Sequence, residues 1–227
     1  MLQQTQVPRV MPKYEAFLAK FPDVKSLSAA TLGEVLGAWN GLGYNRRAKF
    51  LWQAAQMVAS EWHSKFPATV DELQKLPGVG ANTAGAAAVY AYNQPVVFIE
   101  TNIRTVFIHH FFNGELDIPD PAIRELVEGT LDRENPREWY WALMDYGTFL
   151  KQTVGNVGRA SKSYAKQSKF AGSVRQLRGT IIRNLLSGPQ TKAELAAVLP
   201  DERLDAVLAD LRGEGLICEN GGRFSVA

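Results

Sequence analysis

Leu76-Pro77-Gly78-Val79-Gly80 is the stretch whose reading decides the fold. Upstream of it, Thr69-Val70-Asp71-Glu72 has the pattern of a capped helix start, with Thr69 as cap and Glu72 three residues on. That helix is predicted to end at Leu76, because a proline pushes the residue before it out of the helical region. Downstream, Ala81 to Tyr92 is an apolar run, and a small-residue helix is predicted over 81–91. A glycine turn between two helices can present several backbone N–H groups to one anion, and the second helix adds its positive end. Leu76, Gly78, Val79 and Gly80, with Asn82 and Thr83 opening the next helix, are therefore candidate phosphate-binding residues. About twenty residues on, Phe98-Ile99-Glu100-Thr101-Asn102 puts a single carboxylate at the end of an apolar segment. A phosphate grip followed by a lone carboxylate points to acid-type chemistry on a nucleic acid.

Composition narrows the class. The chain has 227 residues, 46% hydrophobic and 21% charged, as in an ordinary soluble globular protein of one large or two small domains. No run approaches the roughly 18 apolar residues a membrane helix needs, which argues against a membrane partner. No basic segment followed by an apolar core opens the chain, so no signal peptide is expected. The single cysteine, Cys218, excludes an internal disulfide and a Cys-only metal cluster and fits a reducing cytoplasm. Net charge is only +2, yet Lys151 to Arg183 holds eight basic residues and no acid, with Tyr164 and Phe170 interleaved. Such a block is either a solvated basic face or a segment that tracks phosphates; Lys162, Lys166, Lys169 and Arg175 are its candidate DNA contacts.

The rest reads as almost entirely helical. Helices are predicted over Gln3 to Phe21, from a cap at Ser28 or Thr31 through Trp39, and over Arg46 to His63, with Gly41 to Asn45 as a loop. Further helices are expected over Thr101–Phe112, 121–131 and 138–150, with Trp139, Tyr140 and Trp141 in the core. From residue 172 onward the chain reads as a separate unit of about fifty-five residues. Three helices, the last two capped by Thr191 and Asp201, precede strands around the Asn220-Gly221-Gly222 turn. This is a winged-helix-like order. Its third helix carries Asp201, Glu202, Asp205, Asp210 and Glu214, which suits a major groove poorly, so a packing or partner role stands beside DNA reading.

Several motifs in order carry a family resemblance: Met1-Leu2-Gln3-Gln4-Thr5-Gln6-Val7, Gly41-Leu42-Gly43-Tyr44, Lys65-Phe66-Pro67, Leu76 to Gly80, Thr83-Ala84-Gly85-Ala86 and Met144-Asp145-Tyr146-Gly147. Over residues 1–150 the chain resembles MutY-type adenine DNA glycosylases, within the helix-hairpin-helix (HhH-GPD) superfamily that includes endonuclease III. The resemblance implies an all-α fold of two helical subdomains. Together with the residue pattern it divides the chain into a glycosylase core at 1–150, a basic segment at 151–171 and a winged-helix-like domain at 172–227, the last differing from the domain with which adenine glycosylases recognise 8-oxoguanine. It also implies a monomer acting on double-stranded DNA that holds a damaged or mismatched base, in a bacterial or archaeal nucleoid. Such enzymes flip the base out and hydrolyse its N-glycosidic bond. Glu100 falls where the family has an aspartate that stabilises the positive charge growing on the sugar. Tyr44 resembles the wedge that intercalates beside the partner base, with a loop aromatic as the alternative. Gln3 and Gln4 resemble the residues that fill the gap.

The chain departs from the family in four places. Glu100 is one methylene longer than aspartate, which means a reshaped pocket or a repurposed site. Asn82 stands where bifunctional members have a lysine, so hydrolysis without a Schiff base is expected. The family's catalytic glutamate would precede Met1; an opening inside a motif suggests a start further upstream. The four cysteines of the family's iron–sulfur cluster are missing after Leu150, so no cluster is expected, and the 76–80 turn is the place where a monovalent cation could sit. The alternative to an enzyme is a non-catalytic lesion sensor on the same scaffold.

Overall fold

A computed structural model describes residues 1–3 and 5–227. The chain folds into two compact units. The first gathers Met1–Phe66, Leu76–Gly78 and Ser168–Ala227; the second holds Pro67–Lys75 and Val79–Gln167. Among the described residues no helix is long and apolar enough to cross a membrane.

The first unit begins with α1 (Val7–Lys20), α2 (Val24–Ala29), α3 (Leu32–Trp39) and α4 (Arg46–Glu61). Thr31 closes a capping box with Glu34 at the start of α3, one of the two caps expected. Asp23 does the same with Ser26 for α2, a short helix not anticipated from the sequence. In α1, Val10 and Phe17 are buried, whereas Val7, Met11, Tyr14 and Leu18 stay exposed. The unit resumes with α10 (Val174–Leu185), β1 (Gln190–Thr191), α11 (Lys192–Val198), α12 (Leu204–Gly213), β2 (Ile217–Asn220) and β3 (Arg223–Val226). Its strands form one antiparallel sheet in the order β1-β3-β2. Gly221 and Gly222 both have positive φ, as a two-residue hairpin turn demands. Asp201 does not cap α12: Arg203 occupies that position, and Asp201 instead accepts from the Arg203 backbone and side chain. The backbone of α12 starts at Leu204, three residues after Asp201.

Residues 172–227, set apart in the sequence reading, share a single apolar core with α1–α4. Phe17, Val35, Leu36 and Trp39 pack in one cluster with Ile181, Leu208, Leu211 and Leu216. Polar ties run the same way, with Lys49 Nζ donating to the Glu214 carbonyl at 2.5 Å and Arg178 paired with the Glu214 carboxylate at 2.5 Å.

The second unit contains α5 (Val70–Leu73), α6 (Ala81–Tyr92), α7 (Thr101–Phe111), α8 (Asp120–Thr130) and α9 (Pro136–Thr153), followed by a 3-10 turn at Val157–Ala160. Its core joins Val89, Phe98, Ile103, Phe107, Ile123, Val127 and Tyr140. The Tyr140 hydroxyl donates to the Val96 carbonyl at 3.1 Å and accepts from the Phe98 amide at 3.2 Å, and its ring stacks on Phe98. Trp141, expected in the core, is 52% exposed, because at helical spacing it points away from its buried neighbour Tyr140. Gly147 lets α9 cross α7 closely: a Cβ there would lie 2.5 Å from the Asn102 carbonyl oxygen.

Candidate functional site

Glu100 sits at the N-cap of α7, in extended backbone, one residue before the helix. Its carboxylate Oε1 accepts from the amides of Asn102 at 2.5 Å and Ile103 at 3.2 Å. The orphan N–H groups of a helix start thus fix the carboxylate, and the helix end favours its negative charge. The longer side chain of glutamate folds back onto its own helix. Around it stand three further groups. Lys151, half-buried near the end of α9, donates from Nζ to Asn102 Oδ1. Burial pulls its ammonium below the usual lysine range, and Glu100 opposes that pull. Asn102 is therefore gripped by α9 on its amide oxygen and linked through its backbone N–H to Glu100. The Tyr90 hydroxyl on α6 is buried with no hydrogen-bond partner among the described atoms, and its pKa is pushed up to about 12, by burial first and by the Glu100 charge second. Arg104, one turn along α7, forms a two-point pair with Asp120 at 2.8 and 2.7 Å; this holds the Asp120 carboxyl below its ordinary range.

A different set of candidates gathers at the Gly41–Asn45 loop of the first unit. Gly41, Gly43 and Tyr44 all take positive φ, so the loop holds the Tyr44 ring on strained backbone that glycine flanks make reachable. The Arg47 guanidinium lies 5.4 Å from the Tyr44 ring centroid and 5.4 Å from that of Trp39. It also donates to the carbonyls of Met1 and Gln3 at 3.2 and 2.7 Å. Arg175 donates to the Tyr44 hydroxyl at 2.8 Å. Gln3 is exposed beside this corner; Gln4 lies outside the described residues.

The turn residues fall on both sides of the division between units. Leu76 is buried in the first unit, and Gly78, at φ +75°, leaves room for Phe50, which a Cβ would approach to 2.6 Å. Val79 and Gly80 belong to the second unit; Gly80 is the N-cap of α6 and has no side chain to close that end, and Asn82 is exposed just after it. The basic residues divide likewise. Lys162 and Lys166 are exposed in the second unit, Lys169 and the half-buried Arg175 in the first. Sequence reasoning singled out Glu100 and Tyr44 and missed what holds them. Asn102, two residues from Glu100, and Arg47, three from Tyr44, were within reach of helix-start and loop arguments. The roles of Lys151, Tyr90 and Arg104 were not, since each comes from packing.

A cluster of four thiolates does not fit this chain, which has one cysteine, Cys218 on β2, with its sulfur 3.1 Å from Ser225 Oγ. The segment after α9 is held by backbone pairing: Ile118 donates to Ala160 and accepts from Lys162 at 3.0 and 2.9 Å.

Comparison with known proteins places this geometry. The model of the HhH-GPD superfamily base excision DNA repair proteins matches residues 1–130. The chain belongs to that family. It is 35% identical to the adenine DNA glycosylase of Mycolicibacterium smegmatis over all of this chain and 85% of that one. It is 30% identical to the adenine DNA glycosylase of Mycobacterium tuberculosis over all of this chain and 82% of that one. Among solved structures, a thermostable thymine-DNA glycosylase aligns with a TM-score of 0.56 at 23% identity, covering 64% of this chain and 69% of that one. A trapped covalent endonuclease III–DNA intermediate aligns with a TM-score of 0.55 at 19% identity, over 64% and 68%. The family resemblance and the helical glycosylase fold read from the motifs are both borne out.

Proposed function

We propose that this base excision repair protein is a monofunctional DNA glycosylase that removes adenine, or another mispaired purine, from a mismatch in double-stranded DNA. The observation that carries the reading is the Glu100 carboxylate, fixed by two amides at the start of α7. In the reaction the purine is flipped out and the bond between the sugar C1′ and the base nitrogen breaks. Positive charge grows on the sugar, and a preorganised carboxylate beside it lowers the barrier with no reorganisation at the moment of reaction. Water adds to C1′ and leaves an abasic site; protonation of the departing base is a separate task. Asn82 at the start of α6 has no amine with which to form a Schiff base, which supports hydrolysis alone. The amides at the start of α6, with Thr83, are assigned to phosphate, as are the exposed Lys162, Lys166 and Lys169. Tyr44 is assigned the wedge role, and Gln3 the hydrogen bonds to the orphaned base. We further assign residues 172–227 a winged-helix-like topology, on the order helix, strand, helix, helix, hairpin, and expect the protein to act as a cytoplasmic monomer. The full-length similarity to two proteins named adenine DNA glycosylase supports the enzyme over the sensor.

The test is single-turnover cleavage of duplexes holding A:8-oxoguanine, A:G, T:G, U:G and hypoxanthine:T pairs, with and without alkali. Breaks at adenine that need alkali are the expected result. Breaks without alkali would overturn monofunctional hydrolysis, and tight binding with no break on any duplex would overturn the enzyme.

A further inference from the structure

We infer that the C-terminal module acts on base flipping through Arg175, which positions the Tyr44 wedge rather than contacting DNA phosphate itself; this rests on the reading of Tyr44 as the wedge. Arg175 lies in the first turn of α10, far from Tyr44 in sequence. Its guanidinium is used as a fork. Nη1 donates to the Tyr44 hydroxyl at 2.8 Å and Nη2 to the Ser168 carbonyl at 2.7 Å. The same group lies 5.8 Å from the Tyr44 ring centroid. The ring therefore meets two guanidinium groups, Arg47 from the start of α4 and Arg175 from the module. The platform beneath Arg175 is firm. Leu177 and Ile181 of α10 are buried in the core shared with α3, and Arg178, one residue past that turn, pairs with Glu214 at 2.5 Å. Tyr44 itself stands 37% exposed at φ +51°, a backbone state that non-glycine residues reach only when their surroundings impose it. A wedge must hold its ring in one place while bases unstack around it, and side-chain bracing supplies that preorganisation. This gives the module a task that does not require its acidic α12 to enter a groove.

Flipping is read from 2-aminopurine fluorescence at the target position, with excision followed in parallel, for wild type, Y44A, R175A, R175K and Y44A/R175A, each checked for an unchanged melting transition. Arg175→Lys keeps the charge a phosphate would need but cannot span Tyr44 and Ser168 with a planar fork. R175A and R175K are both expected to lower flipping about tenfold, the loss of a charged hydrogen bond with ring contact. In the Y44A background R175A should lower it no further, since the two residues act as a unit. If Y44A leaves flipping intact, the wedge reading itself fails. If Y44A matters and R175A does not, the bracing role is overturned. Equal losses from R175A in both backgrounds, with R175K near wild type and the salt slope of binding reduced by about one, would make Arg175 a phosphate contact instead.

Discussion

The two places where the proposed function concentrates are built in opposite ways. At Glu100 the carboxylate is held by backbone: two amides of α7 grip one oxygen, and α9 locks Asn102 from the other side through Gly147 and Lys151. At Tyr44 the ring is held by side chains, Arg47 and Arg175, over a loop whose backbone is strained. Backbone donors in a packed helix start have almost no freedom to lose, so the electrostatic site is rigid before substrate arrives. Guanidinium braces can release and re-form, which suits the wedge role proposed for Tyr44. On the proposed assignment, chemistry and base extrusion receive different kinds of support in one chain.

Changes at the closest crossing should break the first kind of support most severely. Gly147→Ala inserts a methyl 2.5 Å from the Asn102 carbonyl, with backbone as the obstacle. About 3 kcal/mol of stability should be lost in urea unfolding, and excision should fall about a hundredfold as Asn102 and Glu100 shift. Tyr140→Phe tests the same unit without touching Glu100. It leaves the buried Phe98 amide without its acceptor, and a loss of about 2 kcal/mol is expected with excision nearly unchanged at a temperature where the variant is folded. Arg47→Gln sharpens the contrast from the other side. Stability should fall by only about 1 kcal/mol, while flipping drops because the ring loses one brace. The smallest effect is at Asp120. Its carboxyl is held below 3.8 by Arg104, so the pair stabilises above that value and is lost as pH falls through the lower folded value. Asp120→Asn should flatten the acid limb of a melting curve below about pH 4 and change little at neutral pH, where a half-exposed pair contributes less than about 1 kcal/mol.

What the sequence made legible follows the range of the interactions. The caps at Thr31 and Thr191 and the Gly221-Gly222 turn all stand in the structure where local chemistry puts them. The helical body and the family motifs were equally readable, because period and spacing survive any tertiary arrangement. The strand β1 was missed, being two residues long with partners more than thirty residues away on β3. Trp141 was misjudged because apolar character alone does not say which side of a helix meets a neighbour. The packing of 172–227 against α1–α4 could not be read from composition, since an apolar helix face does not name its partner. The same holds for the sites. Glu100 and Tyr44 stand in recognisable local settings, but Lys151 reaches Asn102 across 49 residues and Arg175 reaches Tyr44 across 131, and no local pattern encodes either contact.

The central claim is that the Glu100 carboxylate, preorganised by the start of α7, drives bond cleavage. The measurement that tests it is the single-turnover rate of adenine excision by wild type and Glu100→Gln on an A:8-oxoguanine duplex, with DNA affinity determined for both. Glutamine keeps an oxygen that can accept from Asn102 and Ile103 and removes the charge. A rate lowered by about a hundredfold to a thousandfold at unchanged affinity is predicted. An unchanged rate would contradict the claim and move the chemistry to another group.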